Sequence, residues 1–461
     1  MTMIKNYDLS KILKTCLRNG GDFAEIFFEK SDSTQIQCED KSIEKTLCGT
    51  DQGVALRVLH GGETAYAFTN DIAEKSILNL AQTLSEAVKA KEFKQDIQLL
   101  QTKANWANTV TEDPQGVSLG EKSKKVLSAD RHAWAFHPKV QQVTVSYRDR
   151  TRQILIANSE GKLAEDLQTY TVFVVQVVAR DGEIIQTGYE PVGGTQGFEL
   201  FKQVSPEEVA EVAARQAILM LSAQKAPAGK MPVVLSSEAG GTMVHEAVGH
   251  GLEADLALEG LSVYQDKIGT QVGSSLITVL DDKTIPHQRG SFLFDDEGTP
   301  AQKTVLIENG ILKSYMYDHL YAQKAQKPST GNGRRENYRY RPIVRMTNTM
   351  IAPGKDNPQE IIRSVEKGLF VKKMGGGQVN TVNGDFMFEV TEGYLLEKGK
   401  IGHAVRGATL TGNGPEILKL IDKVGNDLGY GLGTCGKDGQ GVPVADAQPT
   451  LRIPEIVVGG A

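Results

Sequence analysis

The stretch YTVFVVQVVARDGEIIQTGYE, residues 170–190, sets the fold class of the first half of the chain. Thr171–Ala179 is the most apolar run of the sequence, and it is rich in β-branched residues, which favour strands. It is far too short to span a bilayer, so we expect a buried strand. Asp181–Gly182 then indicates a turn into a second strand, because short turns of this composition join antiparallel strands. The stretch therefore predicts a β-hairpin and an antiparallel sheet.

The elements around this hairpin repeat in the same order. The first set is helix, strands, hairpin and helix, and it covers 8–19, 23–30, 33–40, 53–69 with its turn at Gly61–Gly62, and 72–90. The second set is predicted at 116–128, 141–149, 151–157 and 170–190, and it ends with a helix from Pro206. Ser205 and Glu208 form a capping box at the start of that helix. This order suggests an internal repeat.

Residues 222–232 are small and polar and include two prolines, which is typical of a linker. We therefore divide the chain into an N-terminal domain, 1–225, and a C-terminal domain, 226–461. The C-terminal domain is richer in glycine and in hairpin turns, at Asn309–Gly310, Asn383–Gly384 and Lys398–Gly399. Helices are expected only at about 237–258, 357–367 and 414–424. Antiparallel strands with segregated helices define an α+β fold.

The bulk composition limits the class of protein. The chain has 461 residues and a net charge of −6, and no run of five or more basic residues occurs. This balance argues against nucleic acid as the ligand. The first residues lack the apolar core of a signal peptide. The four cysteines, Cys16, Cys38, Cys48 and Cys435, form no C-x-x-C pair, so a reducing, cytoplasmic location fits best.

The stretch MVHEAVGHGLEAD, 243–255, carries the candidate chemistry. His245 and His250 are five residues apart, which places them about 140° out of line on a regular helix. A π-bulge would add the residue that brings both imidazoles to one side, and such bulges are frequent at functional sites. Gly249 and Gly251 flank the second histidine and would let the backbone leave regular helical angles. Glu246 would then lie beside a bound metal ion as a general base.

Two unrelated histidines, one buried and one exposed, remain an alternative for so short a motif. A catalytic zinc ion also needs a third protein ligand. Cys16 lies on the apolar stripe of the first helix, and Cys38 and Cys48 lie in strand-like segments, which favours structural roles. Cys435 lies in a glycine-rich segment, GYGLGTCGKDGQG, where Lys437 could stabilise a thiolate. Glu253 and Asp255 are alternative ligands, although a solvated helix end is the simpler interpretation of both.

Two glycine clusters and an arginine-dense segment each allow a functional and a structural interpretation. The cluster at 374–378 lacks the Lys-Ser/Thr of a phosphate-binding loop, and Gly331-Asn-Gly333 lacks the frame of a dinucleotide fingerprint. Both are expected to be tight loops or points of close ligand approach. The arginine-dense segment 333–340 could clamp a peptide carboxylate or form a structural salt-bridge network.

Five ordered segments together resemble the TldD/PmbA family of metallopeptidases, specifically its catalytic TldD-type members. They are HEAVGHGLEAD, FDDEGTPAQKTVLIENGILKSYMYD (294–318), GNGRRENYRYRPIVRMTNTMIAPG (331–354), GGGQVNTVNGDFMFEVTEGYLLEKGK (375–400), and VRGATLTGNG through GTCGKDGQGVPV to PTLRI (405–453). The resemblance is strong over about 230–455. One departure is the segment Val444–Gln448, where a more glycine-rich run is expected.

The resemblance implies a two-domain zinc peptidase with an H-E-x-x-x-H motif. It implies His245, His250 and Cys435 as metal ligands and Glu246 as the general base that activates a zinc-bound water. Short or unfolded peptides are the expected substrate, and the subunits are expected to form a homodimer or a heterodimer with a non-catalytic sister. No nucleic-acid or membrane partner is expected. The alternative is a metal-stabilised subunit that binds peptides for maturation without cutting them.

Overall fold

The computed structural model describes residues 4–88, 96–105 and 108–460. In the N-terminal half, seven strands form one sheet: β1 Phe23–Glu39, β2 Ser42–His60, β3 Glu63–Thr69, β4 Leu100–Gln101, β5 Val140–Asn158, β6 Lys162–Asp181 and β7 Ile184–Gly194. Its helices are α1 Leu9–Cys16, α2 Glu74–Glu86, α3 Leu119–Phe136, α4 Leu200–Gln203 and α5 Pro206–Leu221.

The hairpin at 170–190 is confirmed, with β6 and β7 joined through a turn at Gly182 and Glu183. The segments predicted as strand pairs at 23–40 and 141–157 are instead single long strands, β1 and β5. The helix predicted at 116–128 begins at Leu119 and continues to Phe136. The capping box of Ser205 and Glu208 is present on α5. Residues 89 and 90 of the helix predicted at 72–90 lie outside the described residues.

The predicted repeat is visible as the same element order, helix, three strands and helix, in β1–β3 and again in β5–β7. The sheet order is β3-β2-β1-β5-β6-β7, and β1 and β5 pair antiparallel at its centre. Strand β4 pairs with the first residues of β6, on the same edge along which β7 pairs with the rest of that strand. Helices α3 and α5 cover one face, where Val145, Phe173 and Val175 are buried. The opposite face of the sheet carries polar residues such as Ser146 and Gln176 and is partly exposed to solvent.

The C-terminal half contains sixteen strands among its described residues. They are β8 Gln224–Lys225, β9 Gly229–Leu235, β10 Val279–Asp282, β11 Lys303–Glu308, β12 Ile311–Leu312, β13 Gly333–Arg334, β14 Ile343–Val344, β15 Asn348–Ile351, β16 Lys367–Val379, β17 Asp385–Glu397, β18 Lys400–Arg406, β19 Thr409–Asn413, β20 Lys423–Val424, β21 Gly429–Lys437, β22 Gln440–Gln448 and β23 Leu451–Gly459. Its α-helices are α6 Thr242–Val244, α7 Ala254–Ala257, α8 His319–Ala325, α9 Pro358–Arg363 and α10 Gly414–Leu420.

The α+β class is confirmed, with three corrections in the C-terminal half. Its sheets are mixed, since β9 pairs parallel with β16, and β15 with β22. Helix α8 was not predicted. Its amphipathic pattern spans only seven residues, too few for a helical period to stand out. The segment 222–232, predicted as a linker, contains β8 and the start of β9, because both pair with strands of this half.

Two sheets of the C-terminal half enclose the candidate site. One has the order β12-β11-β10-β15-β22-β21. In the other, β9, β16, β17, β19 and β23 close into a ring, because β16 pairs with both β9 and β17. The helical segment that follows β9 contacts β15 on one side and β16 and β17 on the other. It therefore lies within the largest hydrophobic core of the chain.

A buried ionic cluster joins the two halves, and we call it the interface network. It consists of Glu25, Glu29, Arg57, Arg152, Asp296, Glu297 and Arg335. Arg57 donates hydrogen bonds to Glu25 at 2.9 Å and Glu297 at 2.6 Å, so it ties the N-terminal sheet to a loop of the other half. We propose that the two halves are separate domains, divided close to residues 225 and 226. No described helix is both long and apolar enough to cross a bilayer.

Candidate metal centre

The helical segment from Thr242 to Leu252 changes its geometry twice within eleven residues. It begins as an α-helix at Thr242–Val244, becomes a π-helix at His245–Gly249 and ends as a 3₁₀-helix at His250–Leu252. The predicted π-turn is thus confirmed. Because it adds one residue to the turn, the two imidazole rings lie 5.1 Å apart, centroid to centroid, with perpendicular planes. The five-residue spacing therefore brings both histidines to one side.

The glycines beside His250 act through their size rather than their backbone freedom. Gly249 has ordinary right-handed angles, φ −58° and ψ −52°. A Cβ there would lie 2.1 Å from Sδ of Met346, and a Cβ on Gly251 would lie 2.7 Å from the Tyr264 ring. The expectation that these glycines provide unusual dihedral angles is wrong. They let the helical segment pack closely against its neighbours.

Cys435 reaches the histidines from 185 residues further along the chain. Its Sγ lies 3.5 Å from Nε2 of His250, and the ligand atoms of Cys435, His245 and His250 all lie within 4.8 Å of one another. The surrounding segment is not a glycine-rich loop as expected. It is strand β21, paired antiparallel with β22 in a tight hairpin. The strand holds the thiol in a fixed position, which a loop would not do.

The thiol and the imidazoles polarise one another. Burial by itself raises the pKa of Cys435, but hydrogen bonds with His245 and His250 outweigh it and lower the pKa to about 5. Burial lowers the pKa of His250, but Glu253 and Cys435 outweigh it and raise the pKa well above its ordinary value. Both imidazoles thus favour the thiolate form of Cys435. A thiolate is the form of cysteine that binds metals.

Glu246 lies at the edge of this cluster. Its Oε2 is 3.8 Å from Nε2 of His250, and its side chain is 26% exposed, so water and small ligands can reach it. Burial raises the pKa of Glu246, while the two histidines act in the opposite direction. The carboxylate is thus close to the three converging atoms without being one of them.

Glu253 orients His250 from the side away from Cys435. Its Oε2 lies 3.0 Å from Nδ1 of His250 and accepts a hydrogen bond from Nζ of Lys437 at 3.1 Å. Burial raises the pKa of this carboxyl, yet Lys437 and His250 reverse the effect and lower the pKa to about 2. A carboxylate on the second nitrogen of a ligand histidine fixes the orientation of its ring.

Two predictions about this region are therefore wrong. Glu253 is not at a solvated helix end, because it is fully buried. Lys437 does not approach the sulfur of Cys435. Its ammonium donates to Glu253, to Asp255 at 2.7 Å and to the carbonyl of Val344 at 3.1 Å. Asp255 is likewise engaged by Lys437 and is not among the converging ligand atoms.

The arginine-dense segment 333–340 is a structural network. Arg334 donates to the carbonyls of Met346 and Pro443, at 2.6 and 2.7 Å. Arg335 pairs with Glu25 in the interface network, and Arg339 pairs with Asp51. These guanidinium groups are engaged by the protein itself, so the alternative of a carboxylate clamp in this segment is wrong.

The hairpin of β21 and β22 is held by a further arginine and carries an acid that the sequence did not single out. Arg345 donates to the carbonyls of Cys435 and of Gln440. Asp446 lies on β22, close enough to His245 and Cys435 to influence the pKa of His245. The sequence offered only the departure at Val444–Gln448, which was expected to be a loop and is the end of strand β22.

The remaining cysteines and the residues of the two glycine clusters are not among the converging ligand atoms. Cys16 and Cys38 are buried, Cys48 is exposed, and none forms a disulfide with another described cysteine. The glycines at 375–377 belong to strand β16 rather than to a loop, and a Cβ on Gly377 would lie 1.9 Å from the Phe388 ring. The Gly331–Gly333 segment leads into strand β13.

Comparison with known protein families covers most of the chain. Residues 228–460 match the PmbA/TldA metallopeptidase C-terminal domain, 112–221 match the central domain, and 24–90 match domain 1. The "Metalloprotease TldD homolog" of Haemophilus influenzae is 38% identical over 452 residues, which are 95% of this chain and 93% of the relative. A metalloprotease of Methanocaldococcus jannaschii is 37% identical over 450 residues, 96% of this chain and 98% of the relative.

Two solved structures have the same fold. A protein of Thermotoga maritima, described as a modulator of a DNA gyrase, superposes with a TM-score of 0.80 at 23% identity and covers 95% of this chain and 96% of its own. TldE from Thermococcus kodakarensis superposes with a TM-score of 0.79 at 17% identity, and the match covers 98% of this chain and 99% of TldE. This chain therefore belongs to a class of metallopeptidases, and within that class to the TldD/PmbA family. Membership in a family whose relatives are named metalloproteases implies a bound metal ion.

Proposed function

We propose that this protein is a zinc-dependent peptidase that hydrolyses short or unfolded peptides, with His245, His250 and Cys435 as the metal ligands and Glu246 as the general base. One observation carries the proposal. Three ligand atoms from two distant segments converge within 4.8 Å, and a partly exposed carboxylate lies at their edge.

The donor set suits zinc better than magnesium or calcium. Two imidazoles and a thiolate are borderline-soft ligands, whereas the harder cations prefer oxygen. Tetrahedral zinc with nitrogen and sulfur ligands separates neighbouring donor atoms by roughly 3.5 Å. The distance of 3.5 Å from Cys435 Sγ to His250 Nε2 is compatible with that requirement. A zinc ion supplies Lewis-acid chemistry, polarising a carbonyl group and lowering the pKa of water.

Glu246 provides the proton transfer. The Glu246 carboxylate lies beside Nε2 of His250, and the Glu246 side chain remains partly accessible to solvent. From this position it takes a proton from the attacking water and passes it to the leaving amine of the cleaved peptide bond. Burial raises the pKa of Glu246, which makes the carboxylate a stronger base than an exposed glutamate.

Glu253 and Lys437 act as positioning residues. Glu253 fixes the His250 ring, and Lys437 neutralises the buried carboxylate so that it remains ionised. Arg345 holds the carbonyl of Cys435 and thereby the end of strand β21. These contacts keep the ligand atoms of the two segments in register without contributing ligands themselves.

The substrate is proposed to bind as an added strand, since main-chain pairing accepts many sequences. Strand β16 offers a suitable edge. Among the described strands, β9 pairs with it only from Leu369 to Val371, so the edge of Gly375–Val379 away from β17 has no strand neighbour. This segment is partly exposed, and β16 contacts the π-turn that carries His245.

The working assembly is proposed to be a homodimer or a heterodimer with a non-catalytic sister subunit, with no membrane or nucleic-acid partner. A structure of the same fold is named TldE, which motivates a test with such a partner. The absence of disulfides among the described cysteines is compatible with the proposed cytoplasmic location.

The test is the Glu246→Gln variant, assayed with a disordered peptide and with zinc content measured in parallel. We expect zinc to remain bound and hydrolysis to fall by about 10²- to 10⁴-fold, the usual contribution of a general base. Glu211→Gln, on the exposed face of α5, is the matched control and should retain full activity. A chelator should abolish the activity of the unchanged protein.

Retained turnover in Glu246→Gln would contradict the role given to this carboxylate. Stoichiometric zinc without cleavage, for the protein alone and with a sister subunit, would favour the alternative of a peptide-binding maturation subunit.

A further inference from the structure

A second polar feature lies beside the candidate metal centre, in a cavity that we call the arginine groove. Its volume is about 1070 Å³. The open face of the N-terminal sheet forms its floor, with Ser146, Arg148 and Gln176. Strand β21 forms the opposite wall through Leu432, Gly433 and Thr434. The groove thus runs between the two halves of the molecule, along the strand that carries Cys435.

Two arginines in this groove have no carboxylate partner among the described residues. Arg289 donates through Nη1 to the carbonyl of Gly433 and to Oγ1 of Thr434 at 2.9 Å, and its Nε is buried without an acceptor. Arg148 is exposed to the groove and makes no described hydrogen bond or ion pair. Arginine is rarely buried without a partner, so the buried Nε of Arg289 leaves this guanidinium incompletely satisfied, and Arg148 adds an exposed, unpaired positive charge.

The acids that line the groove are already engaged. Asp149 pairs with Lys122 at 2.6 Å, and Glu336 accepts a hydrogen bond from the amide of Gly441 at 2.6 Å. The third lining arginine, Arg150, pairs with Glu29 at 2.6 Å. Arg148, Arg289 and Glu336 are the charged lining residues left without an ion-pair partner among the described residues, so the groove keeps a net positive charge.

The pKa of Arg289 reflects its burial. Burial lowers this pKa to about 10, and the neighbouring cations Arg334 and Arg148 act in the same direction. Tyr170 and Tyr189 oppose the shift, and Tyr170 does so more strongly than either cation adds to it. An anion placed between the arginines would remove this electrostatic penalty.

The groove adjoins the elements assigned to substrate. Thr434 immediately precedes Cys435 on β21, so the guanidinium of Arg289 is anchored one residue from a candidate ligand. Tyr189 lines the groove, and the next residue, Glu190, pairs with Lys373 of β16. Successive side chains of a strand point to opposite faces, so the groove beside Thr434 and the thiol of Cys435 lie on the two sides of β21.

We propose that Arg289 and Arg148 bind a carboxylate of the peptide substrate, and that they give the enzyme a preference for peptides with an acidic side chain or a free C-terminus. This inference rests on the proposed peptidase function. A guanidinium presents paired N–H groups that match the two oxygens of a carboxylate, which makes arginine suited to this role.

The experiment measures binding rather than cleavage, so it does not depend on turnover. The zinc-loaded Glu246→Gln protein is titrated against fluorescein-labelled disordered peptides in an anisotropy assay at physiological ionic strength. One peptide pair has Glu or Gln at its central position with an amidated C-terminus. A second pair has a central Gln and either a free C-terminal carboxylate or an amide. The pair that shows a difference identifies the source of the carboxylate.

We expect at least one carboxylate peptide to bind about tenfold more tightly than its neutral counterpart, as for a charge-assisted hydrogen bond. Arg289→Gln and Arg148→Gln, each added to this background, should bring the ratio close to one. Arg215→Gln, which removes an exposed charge on α5, should leave the ratio unchanged. Arg148→Gln keeps the test decisive if Arg289→Gln fails to fold, because the exposed side chain of Arg148 makes no described hydrogen bond or ion pair.

Equal affinities within both peptide pairs would overturn the inference and leave the peptidase proposal intact, and so would a ratio that survives in both arginine variants. Failure of every peptide to bind, together with no cleavage by the unchanged protein, would overturn the proposed function and this inference with it.

Discussion

The interface network and the candidate metal centre are both buried and polar, yet they differ in how their groups are paired. In the network, the guanidinium groups of Arg57, Arg152 and Arg335 all face carboxylates at 2.5–3.0 Å. In the centre, His245, His250 and Cys435 face one another around a common point. Pairing of each guanidinium with a carboxylate indicates a structural role, whereas convergence of ligand atoms on one point indicates a binding site. The two clusters draw on different segments of the chain.

The largest effect that would test this comparison is on stability, from Arg57→Met. The variant leaves Glu297 buried without its guanidinium partner, whereas Glu25 keeps its ion pair with Arg335, and removing one partner of a buried pair costs about 3–5 kcal/mol. We expect the free energy of unfolding in urea to fall by this amount, while zinc content per folded molecule stays the same. A folded variant that had lost its zinc would show that the two clusters form one unit.

A smaller effect is expected on metal affinity, from Glu253→Gln. The substitution preserves shape but removes the charge that orients His250, and loss of such a contact weakens metal binding about 10- to 100-fold. Competition with a chromophoric chelator measures the change. Asp255→Asn is the matched control, because Asp255 also contacts Lys437 but does not touch His250. Equal zinc affinity in Glu253→Gln and the unchanged protein would contradict the positioning role.

The smallest effect on stability is expected from Lys139→Met, which removes an ion pair at the protein surface. Lys139 and Asp181 form an ion pair at 2.5 Å, but both side chains are about half exposed. Exposed pairs contribute about 0–1 kcal/mol because solvent screens them. We expect no more than that change in unfolding free energy, and none in zinc content. A loss as large as that of Arg57→Met would mean that burial does not distinguish the two kinds of ion pair.

Much of the fold could be predicted because its signals are local. The hairpin of β6 and β7 follows from an apolar run and a turn, and the start of α5 follows from Ser205 and Glu208 within four residues. The π-turn followed from the five-residue spacing of two histidines on one helical segment. The short helix α8 and the strands within 222–232 could not be predicted in this way. The former is too short to show a period, and the latter exist only through pairing with β18 and β23.

The candidate site likewise has one part that the sequence predicts and another that only the fold brings together. His245, Glu246 and His250 are neighbours in the sequence, so their arrangement follows from the geometry of one helical segment. Glu253 is also near in sequence, at three residues from His250, but its burial depends on Lys437 arriving from strand β21. Its role as a positioning carboxylate therefore could not be assigned from spacing alone.

The sequence by itself determined the α+β class, the hairpins, the capped helices and the pair of histidines around one π-turn, since each depends on residues within about one helical turn or one β-turn. Only the tertiary structure decided that Cys435 meets those histidines, that the arginines of 333–340 are engaged, and that Arg148 and Arg289 have no carboxylate partner among the described residues. The physical reason is that many of these contacts, such as Cys435 with His250 and Arg335 with Glu25, join residues more than a hundred positions apart, and the packing of sheets on sheets selects them rather than any local preference of the chain.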